Sequence, residues 1–283
     1  MPKPTLIIHI GAGAYPKDGL RARRIRNELQ KFCREGFEFL KKHSAVETVS
    51  EIVRWLENWP ETNAGTGSML QSDGEARLSA SLMDGFEMKF SGVVNMEHIK
   101  NPILIARLLQ KEKDRILAAE GALKFAKEKG FKTFDPRTLE SVQRWKKFKK
   151  TGKYGTVGVC ALDRKGRLAA ATSTGGKGME YVGRVSDSCL PAGNFANSYA
   201  AVSATGIGEE IVEESLASTI ATRAFDLKNL KKAMTQTFRD AQKRKRRFAA
   251  IAVDQNGNLS HAKTTEILYY ASMTGKTSDC FRI

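Results

Sequence analysis

Residues 154–176, YGTVGVCALDRKGRLAAATSTGG, constrain the fold of this chain more than any other stretch. From Thr156 the apolar residues Val157, Val159 and Ala161 share one parity. Asp163-Arg164-Lys165-Gly166 follows, and then Leu168-Ala169-Ala170-Ala171. This order predicts a strand, a four-residue turn ending in glycine, and a second strand. The second strand is built of small residues, so another backbone can come close to it. It ends in Thr172-Ser173-Thr174-Gly175-Gly176, hydroxyl side chains backed by two glycines. The segment before Gly155 is basic and turn-prone, and alternating strand patterns resume after Gly176. Taken alone, a threonine after glycine at the head of a strand is ordinary, since threonine is common in strands and glycine in turns.

The chain has 283 residues, of which 41% are hydrophobic, enough for a substantial core in one large domain or two small ones. No apolar run reaches the roughly 18 residues of a membrane span. The apolar run after Pro4 is too short and too early for a signal peptide. The expectation is a soluble, cytoplasmic protein with no membrane partner. Cys33, Cys160, Cys189 and Cys280 lie far apart, without metal-ligand or disulfide spacing, so free and mostly buried thiols are expected. His9, His43, His98 and His261 are scattered and read as structural. The formal net charge of +16 is the one compositional feature that points to nucleic acid. It is concentrated at residues 21–26, 146–153 and 243–247. Solvated helix faces and linkers are the usual origin of such runs, and no nucleic-acid motif accompanies them. No nucleic-acid partner is therefore expected. A basic nucleic-acid-binding protein on an inactive enzyme fold is the rival from another class.

The remaining chain alternates helices with hairpins. Thr5-Leu6-Ile7-Ile8-His9-Ile10 reads as a buried strand ended by Gly11-Ala12-Gly13. Ile25, Leu29, Phe32, Gly36 and Leu40 recur at helical spacing over residues 20–43. Ser44-Ala45-Val46-Glu47 is a capping box that starts a second helix. Residues 78–85 and 92–94 read as strands. Asn101-Pro102 opens a helix over 103–110, and helices over 121–129 and 136–150 follow. Residues 151–154 are the one candidate linker. Helices over 209–225 and 227–242 precede a last hairpin, 248–253 and 259–262, around Asn256-Gly257. Helices packed on stacked sheets around one core, an α+β fold, fit this order.

The stretch around Thr156 resembles the signature of the threonine-dependent asparaginase family of N-terminal-nucleophile hydrolases. That family includes plant-type asparaginases with isoaspartyl-peptidase activity, glycosylasparaginase and the taspases. Further motifs resemble it in family order over residues 5–262. His9-Ile10-Gly11-Ala12-Gly13 is similar to His-Gly-Gly-Ala-Gly, with Ile10 in place of the first glycine. Asn63-Ala64-Gly65-Thr66-Gly67-Ser68 is similar to Asn-Ala-Gly-x-Gly-Ser. Residues 79–85 resemble Asp-Ala-x-x-Met-Asp-Gly, with Ser79 where Asp is usual. Gly183-Arg184-Val185-Ser186-Asp187-Ser188 resembles Gly-Arg-Val-Gly-Asp-Ser, with Ser186 replacing a glycine. Ser203-Ala204-Thr205-Gly206-Ile207-Gly208-Glu209 resembles Ser-x-Thr-Gly-x-Gly-Glu. Beyond Thr265 the resemblance fades.

The resemblance implies a four-layer αββα sandwich in which residues 1–283 form one domain. It implies cleavage between Gly155 and Thr156 into fragments 1–155 and 156–283, which stay intertwined and pair as a dimer of heterodimers. It assigns Thr156 as nucleophile, Thr174 as its neighbour and Asn63 as the residue that orients it. Thr205 and Gly206 would surround the oxyanion. Arg184 would grip a substrate α-carboxylate and Asp187 an α-ammonium, with Gly208 beside them. A structural sodium ion on the 56–63 loop, held by backbone carbonyls, is implied, and no other cofactor. The implied reaction is hydrolysis of the side-chain amide of L-asparagine or of a β-aspartyl dipeptide. A glycosylasparaginase or a protease of taspase type is the nearer alternative.

The proposed chemistry follows from the residue types. A threonine hydroxyl is a weak nucleophile unless a base lies beside it. Cleavage before Thr156 would free an α-amine, whose reference pKa near 8 leaves much of it unprotonated near neutral pH. Before cleavage the same hydroxyl would attack the Gly155 carbonyl in an N-to-O acyl shift. Glycine tolerates the backbone geometry this needs.

Overall fold

Residues 2–14, 18–147 and 155–282 are described by the computed structural model. The chain opens with β1 (Thr5–Gly13), buried from Thr5 through Gly11 as a strand covered on both faces must be. α1 (Gly19–Leu40) follows and buries Ile25, Leu29, Cys33, Phe37 and Leu40. α2 (Ala45–Glu57) starts at the expected capping box: Ser44 Oγ accepts from the Glu47 amide, and the Glu47 carboxylate accepts from the Ser44 amide. Next come β2 (Leu78–Asp84), β3 (Lys89–Met96), α3 (Pro102–Leu109), β4 (Ile116–Ala118), α4 (Ala119–Glu128) and α5 (Leu139–Lys146). The hairpin read from residues 154–176 is β5 (Val157–Leu162) and β6 (Leu168–Thr174). Beyond it lie β7 (Asn194–Ala196), β8 (Ala200–Gly206), α6 (Gly208–Glu213), α7 (Leu216–Leu227) and α8 (Leu230–Lys243). The chain ends in β9 (Phe248–Asp254), β10 (Leu259–Lys263), β11 (Ile267–Thr274) and β12 (Thr277–Cys280).

The strands form two sheets. One has the order β12-β11-β1-β5-β6-β2-β3-β4, the other β10-β9-β8-β7. β5 lies between β1 and β6, with Cys160 opposite both Ile7 and Ala170. α2 packs on β5 and β6, α3 on β2 and β3, and α1 on β11 and β1. On the other face β5 and β6 meet β8, and β1 meets β9. α7 and α8 cover the outer side of the second sheet. Alternation along β9 shows how the layers divide. Ala249, Ile251 and Val253 enter the core shared with the first sheet, while Phe248, Ala250 and Ala252 enter the core under α7 and α8. A strand of period two with both faces apolar can serve two cores at once. All four cysteines are free and buried, as expected.

Several expectations change in detail. β1 does not stop at Ile10; it continues through Gly13, with a register shift between His9 and Ala12. The helix expected over 209–225 is two helices, α6 and α7. Ser215, at φ 45°, breaks the run in the left-handed region. α5 begins not at Pro136 but at Leu139, where Thr138 and Ser141 exchange side-chain and backbone hydrogen bonds. Its expected extension to residue 150, and the linker 151–154, lie outside the described residues. β11, for which the sequence offered no reading, pairs along the whole of β1.

Asp163 ties the hairpin to the helix layer. Its Oδ1 accepts from the Lys165 amide at 2.8 Å and the Arg167 amide at 3.0 Å, closing the turn. Its Oδ2 accepts from the Ala45 amide at 3.1 Å, in the first turn of α2. Asp163 is 2% exposed. Asp163→Ala leaves one buried amide and two part-buried ones short of an acceptor and should lower stability by about 2–3 kcal/mol. Urea unfolding should show this as a lower midpoint at unchanged slope. An unchanged midpoint would refute the role given to this turn.

Candidate active site

Thr156 immediately precedes β5, and Thr174 ends β6 beside it, so the hairpin brings both to one end of the sheet. Thr205 and Gly206 end β8 in the facing sheet. The loop after α2 adds Asn63, and the segment between β6 and β7 adds Arg184 and Asp187. Apart from Thr205, which lies just behind its wall, these residues border one open cleft of about 770 Å³, together with Gly155 and Gly208. A cleft of this size suits a small molecule.

Thr156 is 7% exposed, and its Oγ1 lies 3.3 Å from Ser188 Oγ. Thr174 Oγ1 accepts from the Gly176 amide at 3.2 Å. Asn63 Nδ2 donates to the Gly176 carbonyl at 2.5 Å, and its Oδ1 accepts from the Met69 amide at 2.8 Å. Its backbone carbonyl accepts from the Gly175 amide at 2.8 Å. Asn63 therefore fixes the double-glycine turn below Thr174. Thr205 Oγ1 is buried without a hydrogen-bond partner, and a Cβ placed on Gly155 would be 3.6 Å from it. That hydroxyl is an uncommitted donor facing the Gly155-Thr156 junction. Gly206 has φ +144°, and a side chain there would meet Phe248 Cα at 2.5 Å, so only glycine fits.

Arg184 and Asp187 are not paired with each other. Arg184 Nε and Nη2 donate to the two Glu209 carboxylate oxygens at 3.1 and 2.9 Å. Lys177 Nζ donates to the same Glu209 at 3.1 Å. Burial opposes ionisation of Glu209, but the hydrogen bonds from Arg184 and Lys177 hold its pKa down to about 2. Asp187 is the reverse case. Burial pushes its carboxyl up to about 6, although Ser186 Oγ donates to Oδ1 at 3.0 Å. Its Oδ2 is buried without a partner. Gly208 lets the chain pass close to both groups: a Cβ there would sit 2.7 Å from Arg184 Nη2 and 2.9 Å from Asp187 Oδ1. Sequence reasoning gave no role to Ser188, Lys177 or Glu209. Ser188 and Glu209 stand at the ends of recognised motifs, which was the available signal.

The cleft can position a hydroxyl nucleophile beside the uncommitted Thr205 hydroxyl and a cationic and an anionic anchor. Among the described residues no group of three His, Cys, Asp or Glu side chains could hold a metal ion. The 56–63 loop offers backbone carbonyls instead. Thr62 Oγ1 lies 2.7 Å from Leu56 O, 3.0 Å from Trp59 O and 3.5 Å from Ala64 O. Leu56 O and Trp59 O also accept from the Trp59 and Thr62 amides at 3.2 and 3.0 Å, and each carbonyl keeps a second lone pair of the kind that suits a hard cation such as sodium. In the basic run at 243–247, Lys243, Arg244, Lys245 and Arg247 are exposed and Arg246 is half-buried, and its three arginines also meet acids. Arg244 and Arg246 pair with Glu214, Arg246 also with Glu213, and Arg247 with Glu210. Of the run at 146–153, only Lys146 and Lys147 lie within the described residues. No helix of the described residues is long and apolar enough to cross a membrane.

Comparison with known proteins gives one consistent result. The profile of a family described as Asparaginase matches residues 2–283. A Synechocystis sp. protein named isoaspartyl peptidase/L-asparaginase is 43% identical, over 96% of this chain and 88% of its own. A Nostoc sp. protein of the same name is 44% identical, over 97% of this chain and 93% of its own. A plant-type L-asparaginase of Pyrococcus furiosus is 35% identical, over 95% of this chain and 96% of its own.

The buried Asp187 gives the cleft a measurable signature. Its pKa of about 6 in the folded state exceeds the ordinary value of 3.8. The stability this group contributes is full below about pH 4 and is lost as pH rises through 6. A shift of this size corresponds to about 3 kcal/mol. Asp187→Asn should therefore lose less stability than the parent between pH 4 and pH 7 in urea unfolding. Parallel profiles would show that Asp187 is not held in this way.

Proposed function

The chain belongs to the asparaginase family, and from that membership we propose that it hydrolyses the side-chain amide of L-asparagine and the isopeptide bond of β-aspartyl dipeptides. The observation that carries this reading is the company Thr156 keeps. It shares one cleft with Arg184 and with Asp187, a buried carboxylate whose Oδ2 has no partner. An arginine fork and an unpaired carboxylate together suit an amino-acid zwitterion. Glu209 takes Nε and Nη2 of Arg184 and leaves Nη1 for a substrate α-carboxylate. The names of the relatives favour this substrate class over a glycosylasparaginase or a taspase.

Maturation comes first in this reading. Thr156 Oγ1 attacks the Gly155 carbonyl carbon, the peptide C–N bond breaks, and an ester forms. Water then hydrolyses the ester, leaving fragments 1–155 and 156–283 and a free Thr156 amine. In turnover that amine takes the hydroxyl proton as Oγ1 attacks the substrate amide carbon. Thr205 Oγ1 and the Gly206 amide are placed to donate to the developing oxyanion, among the larger catalytic contributions in such sites. The amine returns its proton to the leaving nitrogen, and ammonia or the second amino acid departs. Water hydrolyses the remaining ester and releases aspartate. Thr174 and Asn63 keep the neighbouring backbone in place.

The succession of helices, sheet, sheet and helices supports the four-layer αββα sandwich of N-terminal-nucleophile hydrolases, with residues 1–283 as one domain. Sodium would sit among the carbonyls of Leu56, Trp59 and Ala64 and stiffen the loop that carries Asn63. The assembly in this reading is a dimer of cleaved heterodimers. The free cysteines favour a reducing compartment, the cytoplasm. The pairing of the 243–247 run with acidic side chains argues against a nucleic-acid site there.

The test combines intact mass with release of ammonia and aspartate. The parent should appear as fragments 1–155 and 156–283. Thr156→Ala should stay one chain and be inactive. Arg184→Ala should lose ten-fold or more in kcat/KM, since one charged hydrogen bond is worth about 1.5–3 kcal/mol. KM should rise as pH falls through about 6, where Asp187 takes up a proton and no longer attracts an ammonium. Full activity in a chain that is never cleaved would overturn the mechanism.

A further inference from the structure

We propose that Asn95 and Gln71 are positioning residues for Arg184, and so for any substrate that carries an α-carboxylate; this rests on the reading of Arg184 given above. The two side-chain amides grip the backbone of Gly183, the residue before Arg184. Asn95 Nδ2 donates to the Gly183 carbonyl at 2.8 Å, and the Gly183 amide donates to Gln71 Oε1 at 3.0 Å. Gly183 has φ +83°, in the left-handed region, at the third position of a turn that the Arg184 amide closes by donating to the Tyr181 carbonyl at 3.0 Å. Arg184 follows directly, so the orientation of the Gly183 peptides sets where its guanidinium starts.

The clasp is built into the sheet. Between β2 and β3 the register moves from Leu78 opposite Met96 to Ala80 opposite Val93. Val94 and Asn95 therefore face the single residue Ser79. This is a β-bulge, a device that re-aims a side chain. Asn95 has φ 48°, and its amide donates to Ser79 Oγ at 3.0 Å. Ser79 stands where the family motif carries Asp, and in this chain its hydroxyl holds the bulge. Gln71 is 1% exposed and is fixed in turn: Arg77 Nη1 donates to its Oε1 at 3.0 Å. Its Nε2 points at Asn95 Oδ1, 3.4 Å away. Arg77 is itself held by Asp73 and Glu97. Both amides belong to fragment 1–155 and Gly183 to fragment 156–283. After self-cleavage the clasp would therefore work across two polypeptides.

The test is steady-state kinetics on the full protein with L-asparagine. Asn95→Gly suits the left-handed backbone and removes the side chain with its amide. Gln71→Met removes the acceptor at similar size. Each should raise KM about ten-fold while kcat stays within about two-fold of the parent. Self-cleavage should match the parent, and the thermal midpoint should fall by only a few degrees, as the loss of one or two part-buried hydrogen bonds requires. An unchanged KM in both variants, or parallel losses in kcat, KM and thermal midpoint, would overturn the clasp. Normal turnover in Arg184→Ala would instead defeat the reading of Arg184, and the clasp with it. A crippled Arg184→Ala beside a normal Asn95→Gly would defeat the clasp alone.

Discussion

The placement of Thr156 depends on how closely the two sheets approach behind it. His9 on β1, Thr172 on β6 and Ser203 on β8 meet between the sheets. His9 Nε2 lies 2.9 Å from Ser203 Oγ, which lies 2.9 Å from Thr172 Oγ1. Gly158 on β5 makes the room. A Cβ there would be 2.3 Å from His9 Nε2 and 2.0 Å from Ser203 Oγ. Burial pushes the His9 pKa down to about 3, so the imidazole is neutral and brings no charge into the seam. A fully dry, bulky interface would hold the sheets farther apart and move Thr205 away from Gly155. Small side chains and short hydrogen bonds set the spacing instead; His9 Nε2, Ser203 and Thr172 are joined, while His9 Nδ1 is buried without a hydrogen-bond partner.

A second joint lies on the opposite face of β6. Glu57, at the end of α2, is fully buried. Ser173 Oγ donates to its Oε1 at 2.7 Å, Asn101 Nδ2 to its Oε2 at 3.1 Å, and the Ile103 amide to Oε1 at 3.2 Å. Burial raises its pKa to about 8 against these bonds. Asn101 is the first cap residue of α3 by position, yet its side chain caps nothing; Glu57 supplies the acceptor from another helix. One carboxyl thus joins the end of α2, the start of α3 and the residue before Thr174. The hydroxyls of β6 are held from both sides, Thr172 by the seam and Ser173 by Glu57.

This explains which parts were legible in the sequence. The β5–β6 hairpin, the start of α2 and the amphipathic face of α1 depend on neighbours a few residues apart, and local pattern captured them. β11 did not announce itself. Its partner β1 lies more than 250 residues away, and pairing over that separation leaves no local trace. The break at Ser215 was hidden because α6 and α7 continue one apolar rhythm. Motif resemblance singled out Thr156, Thr174, Arg184, Asp187 and Thr205, and the structure brings the first four to one cleft with Thr205 close to Gly155. The resemblance passed over Ser188, Glu209, Gln71 and Asn95. Their importance comes from what they touch, and contacts across the chain are not written in spacing.

The two carboxylates near Arg184 come from different segments and divide the labour between them. Glu209 sits at the cleft rim, half exposed, and receives Arg184 and Lys177; it stays charged at every working pH. Asp187 is buried, accepts one hydroxyl hydrogen bond and keeps an oxygen without a partner. If Arg184 paired with the buried acid instead, that acid would be neutralised and nothing would remain to attract a cation. Environments that push neighbouring acids apart mark distinct roles. Glu209 holds the arginine in place at little cost, because a rim ion pair is easily solvated. Asp187 carries the desolvation penalty, and a bound ammonium would relieve it. The penalty therefore favours a ligand with a positive group at that point, and a substrate without one would leave Asp187 unpaired. In the function proposed above, selectivity for an α-amino group would follow from burying one carboxylate and exposing the other.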